Sequence, residues 1–216
     1  MKIDTKIIDE KDRKILEELD NNSRQTDSHI AKKVGLSKQV VNYRIQQLIN
    51  KGIIVNFYTL INTGFFGLDS FYVFLQLENI NKHEEKVLLE KINDLDSVGW
   101  LVSGTGRWDV IMLVNAPSIS VFETYLDKIK SICKNHLHAY IFTALVSGEH
   151  IGYKMIGDRP YLKGIKRSER TKKIELSKHD EAILKAISHN PRMPITEIAK
   201  RLKLPLHVVN YGLKSL

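Results

Sequence analysis

Residues 9–48 and 177–216 align without a gap at a constant offset of 168, and fourteen of the forty positions are identical. A chain that repeats one forty-residue pattern near both ends must fold each copy as a small unit and place something different between them. Both copies have helical periodicity. In the first, Asp9 can accept bonds from free amides and open a helix with Ile15, Leu16 and Leu19 on its apolar side. Thr26 caps a second helix carrying Ile30, Ala31 and Val34, Gly35 suits the left-handed residue that closes it, and Ser37 caps a third. Val41, Ile45 and Leu48 line the inner side of that third helix. The β-rich stretch from Ile53 to Leu60 reads as a short wing or connecting strand.

Three short helices with a tight turn before the last describe a helix-turn-helix, whose third helix can enter the major groove of duplex DNA. Ser37, Lys38, Gln39, Asn42, Tyr43, Arg44 and Gln46 are the candidate DNA-contacting residues. Gln39 and Asn42 each offer a donor and an acceptor to a base edge, Lys38 and Arg44 can neutralise phosphates, and Tyr43 can pack on the backbone. A trihelical bundle whose polar third helix is merely solvated, or docks a protein, is the alternative. In the second copy the corresponding candidates are His207, Asn210, Tyr211 and Lys214. That copy departs from the first: Lys203 replaces the glycine of the turn, Pro205 the serine cap, and Gly212 replaces Arg44 in mid-helix, removing a cation and weakening the helix by about 1 kcal/mol. It reads either as a second DNA-binding unit, apparently truncated, or as a protein-contact module.

Between the copies the pattern runs strand (71–77), helix (83–95), strand (98–103), strand (109–115), helix opened by a Ser120/Glu123 capping box, and strand (137–146). This is the split βαβ, or ferredoxin-like, order. Its strands are apolar on both faces while the helices cover only one, so a second copy of the chain is the economical cover for the other. Gly104, Gly106, Trp108 and Asp109 lie in a connection between two strands. The glycines make a tight turn, or the loop holds a small ligand, with Asp109 facing an ammonium group. A phosphate-cradling glycine loop would open a helix, and here a strand follows.

The net charge of +8 is unevenly spread: +3 over 1–60, −3 over 61–157, +4 over 158–180 and +4 over 181–216. Basic ends around an acidic centre point to a polyanion partner at the ends. The single cysteine, Cys133, excludes a disulfide framework and sits on an apolar helix side. His136 and His138 share a strand face without a cluster that would make a metal site, and no catalytic motif stands out. The longest apolar runs fall far short of the roughly 20 residues of a membrane span. The expectation is a cytoplasmic chain that is not an enzyme, with no cofactor, no metal and no membrane contact.

Residues 8–146, from Ile8, Asp9 and Asp12 through Val34-Gly35-Leu36-Ser37, Arg44-Ile45 and Gly52-Ile53-Ile54 to Gly106-Arg107-Trp108-Asp109, resemble the Lrp/AsnC (feast/famine) family of transcriptional regulators. The resemblance implies an α+β fold: an N-terminal winged helix-turn-helix, then a central ferredoxin-like βαββαβ (ACT-like) domain. It implies double-stranded DNA as partner, a homodimer or higher oligomer such as a tetramer or octamer, and an amino-acid-like effector held between subunits. Arg107 stands where the family carries an acidic residue. The C-terminal second helix-turn-helix is an addition to the family plan. The expected domains are 1–60, 61–157, a basic linker over 158–176 that includes Lys163, Lys166, Arg167, Arg170, Lys172 and Lys173, and 177–216. Two other readings stay open. One is an enzyme similar to the siroheme decarboxylases, which share both domains; the other is an interaction scaffold built on the terminal helices.

Overall fold

The computed structural model describes residues 8–150, 165–167 and 174–216. At the first end, α1 (Glu10–Asn21), α2 (Asp27–Val34) and α3 (Lys38–Asn50) begin where the capping residues place them. Asp9 accepts the Asp12 amide at 2.8 Å and the Asp12 carboxylate takes the Asp9 amide at 3.2 Å, a reciprocal cap. Thr26 and Ser37 cap α2 and α3, and Gly35, at φ 67°, closes α2 in the left-handed region. Ile15, Leu16, Leu19, Ile30, Val41, Ile45 and Leu48 form the buried centre. The stretch read as a wing or connecting strand, 53–60, carries no strand. Ile54 is buried and Ile53 and Phe57 pack on the helices, while Val55, Tyr58 and Leu60 are exposed.

The central part runs β1 (Asp69–Leu77), α4 (Lys82–Asn93), β2 (Val98–Ser103), β3 (Val110–Ala116), α5 (Ile119–Cys133) and β4 (Leu137–Ala144). Its antiparallel sheet has the order β2-β3-β1-β4, the ferredoxin-like arrangement. Phe71, Val73 and Leu75 of β1 and Val110, Met112 and Val114 of β3 face the helices, where Phe122 stacks on Phe71 at 4.0 Å. Two helix starts differ from the sequence reading. Pro117 leaves β3 and extended Ser118 accepts the Val121 amide, so α5 starts before the expected Ser120 box. Asn81 and Glu84 form the capping box of α4 instead. His136 falls in a short 3₁₀ turn, Lys134–His136, not on the strand with His138.

Alternation sends Tyr72 and Phe74 of β1 to the opposite sheet face, across from Ile111 and Leu113 of β3 and Ile141 of β4. Trp100 and Val102 of β2 join them at 41% and 47% exposure. Among the described residues this aromatic face is left partly open to solvent.

After it come β5 (Gly148–His150) and β6 (Ile165–Arg167), which pair with each other. Of the expected basic linker, Lys163, Arg170, Lys172 and Lys173 lie outside the described residues, as does the expected domain boundary at 157. The second end folds as α6 (Lys178–His189), α7 (Ile195–Leu202) and α8 (Leu206–Ser215) around Ile183, Ile187, Met193, Ile198 and Val209. The chain divides into two compact units, one gathering both trihelical ends and the other holding the sheet.

Arg44 of α3 does not project freely. It binds Asp9 at 2.7 Å and Asp12 at 2.8 Å, joining α3 to the start of α1. Slight burial acts to raise the Asp9 carboxyl, but the Asp12 amide and the Arg44 guanidinium outweigh it and hold the group below its ordinary value. A carboxyl depressed in the folded state stabilises fully above its unfolded pKa, about 4, and the contribution is lost as pH falls through the folded value. Arg44→Ala should therefore lower the urea midpoint at neutral pH. The gap to wild type should shrink as pH is taken from about 5 to about 2.

Cys133 is fully buried on α5, and desolvation pushes its thiol up to about 11. A thiol reagent should label it only on unfolding, and labelling of the native protein at the rate of a free thiol would contradict this packing.

Candidate nucleic-acid interface

The position of α3 follows from the turn before it. The Gly35 amide reaches the carbonyl of Ala31, as does that of Leu36 at 3.1 Å, and Ser37 accepts the Val40 amide at 3.3 Å. With Val41, Ile45 and Leu48 buried, the other side of the helix is presented to solvent. Lys38, Gln39, Asn42, Tyr43 and Gln46 all lie there, Tyr43 at 64% exposure. The structure thus brings these five predicted residues onto one outward row.

Two of the seven predicted residues have other work. The Ser37 hydroxyl oxygen is used in the helix cap. Arg44, read from sequence as a phosphate contact, faces α1 and is paired with two carboxylates, because its position points it along the helix toward Asp9 and Asp12. Asn42 is exposed but tethered: its side-chain nitrogen donates to Asp27 at 2.8 Å, which leaves its carbonyl oxygen and one N–H for a ligand.

The second copy keeps the turn by a different route. Lys203 takes the left-handed conformation of Gly35, φ 54°, and the Leu204 amide reaches Ala199 at 3.0 Å, as Leu36 reaches Ala31. A lysine there carries strain of roughly 1–2 kcal/mol that glycine does not. Pro205 stands at the cap position, where the Val208 and Val209 amides go to its carbonyl and no side chain replaces the serine. Gly212 is more than a lost cation: a Cβ there would meet Ile183 Cδ1 at 2.7 Å and Asp180 Oδ1 at 3.0 Å. Close approach of α8 to α6 fills the place that the Arg44 ion pairs occupy in the first copy. His207, Asn210, Tyr211 and Lys214 are all exposed on α8, Tyr211 at 75%.

Sequence reasoning gave Arg24 and Arg192 no role, although both belong to the repeat. Arg24 donates to the carbonyls of Pro191 and Met193. Arg192 donates to those of Ser23, at 2.6 Å, and Gln25, at 3.4 Å, and binds Asp27 at 2.7 Å. An arginine kept in both copies at a turn, away from the helix cores, was the available signal.

In the central domain the 104–109 connection is built as a turn. Gly106 adopts φ 137° in open space, and Arg107 lies over the Trp108 ring at 5.2 Å. Asp109 does not offer a free carboxylate as the ligand reading expected. Its Oδ2 accepts the Leu77 amide at 2.7 Å and its own amide reaches the Leu75 carbonyl, because β1 needs a partner where its ladder with β3 ends. A surface cavity of about 340 Å³ lies elsewhere, along α5 and β4, between Glu123, Asp127, Lys130 and Tyr140. Among the described residues no group of three or more His, Cys, Asp or Glu side chains is placed to hold a metal. No helix of the described residues is long and apolar enough to cross a membrane.

A family model for winged helix-turn-helix DNA-binding units matches residues 8–55 and 176–216. An uncharacterized HTH-type transcriptional regulator of Pyrococcus furiosus is 32% identical over 127 residues, which span 58% of this chain and 84% of that protein. An AsnC family transcriptional regulator from Agrobacterium tumefaciens superposes with a TM-score of 0.57 over 64% of this chain and 90% of its own, at 22% identity. A transcriptional regulator of Neisseria meningitidis, solved as a complex with L-Met, gives a TM-score of 0.55 over 64% of this chain and 89% of its own, at 20% identity. With a capped α3 preceding a ferredoxin-like sheet and a relative this similar in sequence, the chain belongs to the HTH-type transcriptional regulators and shares the fold of AsnC family regulators over 64% of its length.

Proposed function

We propose that the chain regulates transcription by reading duplex DNA with the outward row of α3, in which Lys38 contacts phosphate and Gln39, Asn42 and Gln46 face base edges. The observation that carries this is the pairing of a left-handed turn and serine cap with an α3 whose polar row is left exposed by three buried residues. Major-groove entry needs such a helix, held by its apolar side with its amino-terminal half free. His207, Asn210, Tyr211 and Lys214 form the equivalent row of α8 and contribute further contacts. Family membership favours a regulator over an enzyme, and the cytoplasm is where its DNA is met.

We read the aromatic sheet face as the assembly surface, covered by the same face of a second copy. Two-fold pairing would bury Tyr72, Phe74, Trp100 and Ile141, the apolar surface that a lone monomer leaves in water. For an effector, the L-Met complex of a regulator with this fold supports an amino-acid-like class. Asp109 is engaged by the Leu77 amide and the Gly104 amide by the Asp109 carbonyl, so Gly106 would act through its backbone amide, with Gly104 shaping the turn and Trp108 as an apolar neighbour.

Selection and sequencing of bound genomic fragments tests the DNA reading. Binding should fall linearly on log-log axes, by about 0.9 per phosphate neutralised. Gln39→Ala should erode the preference for selected over random duplex, whereas Lys38→Ala should weaken both alike. Equal losses for the two variants on both duplexes would contradict the assignment. By sedimentation, the wild type should be a dimer or larger and Trp100→Glu a monomer with unchanged circular dichroism. A monomeric wild type would remove the sheet face from the assembly.

A further inference from the structure

The two trihelical ends meet turn against turn, and the contact obeys the repeat. At the offset of 168, Ser23 corresponds to Pro191, Arg24 to Arg192 and Gln25 to Met193. Arg24 crosses to the carbonyls of Pro191 and Met193, and Arg192 crosses to those of Ser23 and Gln25. Contact in which one copy's residue i meets j while j meets i is the mark of a two-fold interface, here formed inside one chain. The copies keep separate apolar cores, so polar groups join them.

Within the turns the symmetry breaks at Asp27. Asp27, the first residue of α2, corresponds to Ile195 in the second copy. Arg192 therefore gains a carboxylate, Asp27 Oδ1 at 2.7 Å, and lies over the Phe57 ring at 5.5 Å. Two guanidinium groups side by side oppose each other. Burial and the charge of Arg192 both hold Arg24 below its ordinary pKa, and Asp27 supplies the compensating negative charge. Asp27 also reaches α3, because its Oδ2 accepts a hydrogen bond from the Asn42 side-chain Nδ2 at 2.8 Å. The side chains of Asp27 and Arg192 are 12% and 23% exposed, so water screens this link only in part.

We propose that the C-terminal unit is a built-in partner of the N-terminal one, docked in cis as the second half of a pseudo-symmetric pair, and that Arg192 is a positioning residue which acts through Asp27 to orient the Asn42 carboxamide. Bound this way, Asn42 presents a fixed acceptor and one N–H to a base edge, where a free carboxamide would sample both orientations. The second copy thereby contributes to sequence choice without itself touching the base. This rests on the reading that α3 contacts DNA.

The full chain carries the test, with Arg192→Lys, which keeps the cation and loses the planar fork, and Asp27→Asn, which keeps the shape and loses the charge. Both should weaken binding to the selected fragment by roughly tenfold and leave random duplex and the salt slope nearly unchanged. Asn42→Ala should cost less in either background than in wild type, since the residues act in one chain of contacts. Hydrogen exchange at the Gln25 and Met193 amides, which close the two turns, should quicken in both variants while the centres of α1 and α6 stay protected. Full additivity with Asn42→Ala, or equal losses on selected and random DNA, would overturn the positioning role. Unchanged exchange at both turns would overturn the docking. If the wild type binds no duplex, the functional reading fails, while the exchange measurement still decides whether the ends are docked.

Discussion

The apolar seam beneath α3 is the interaction on which the N-terminal trihelical end depends. Val41, Ile45 and Leu48 are at most 2% exposed, and burying each contributes about 1.5–3 kcal/mol. Turning α3 by one residue would withdraw all three from the core, a loss comparable to the whole stability of a small domain. The helix therefore has one available rotation. That rotation, set by packing, puts Lys38, Gln39, Tyr43 and Gln46 outward. The Gly35 turn and Ser37 cap choose where the helix begins, and Arg44 ties its middle to α1.

The second copy solves the same packing problem with different chemistry. Where the first copy spaces α3 from α1 with an arginine held by two aspartates, the second removes the side chain and lets Gly212 pack on Ile183. Where the first uses glycine for the left-handed turn, the second uses Lys203 and keeps the Leu204 to Ala199 bond. These changes compensate one another within the copy. The loss of Arg44 at Gly212 is therefore a repacking of the interface between helices, and α8 keeps an exposed row of its own.

Most of the architecture was legible from local signals. Asp9, Thr26 and Ser37 each cap the helix that their position announces, since a cap bond spans only two or three residues. The strands β1 and β3 read as apolar runs, but with both faces apolar only the packing of the helices decides which face is the core. Near misses came where two signals competed. Ser118 and Ser120 both precede the apolar run of α5, and the extended backbone after Pro117 favours the first. The apolar 53–60 stretch has strand composition, but no strand pairs with it among the described residues; the helical core takes Ile53, Ile54 and Phe57 and leaves Val55, Tyr58 and Leu60 exposed.

The sequence by itself determined the two trihelical ends, the ferredoxin-like centre and the set of polar residues from which α3 draws its outward row. Periodicity and capping act over a few residues, and they can be read there. Tertiary structure alone decided which polar groups are free and which are occupied. Asn42 and Asp27 are 15 residues apart, Asp109 and Leu77 are 32, Arg44 and Asp9 are 35, and Arg24 and Pro191 are 167. A charged side chain finds the nearest partner in space, and only the folded chain brings that partner near.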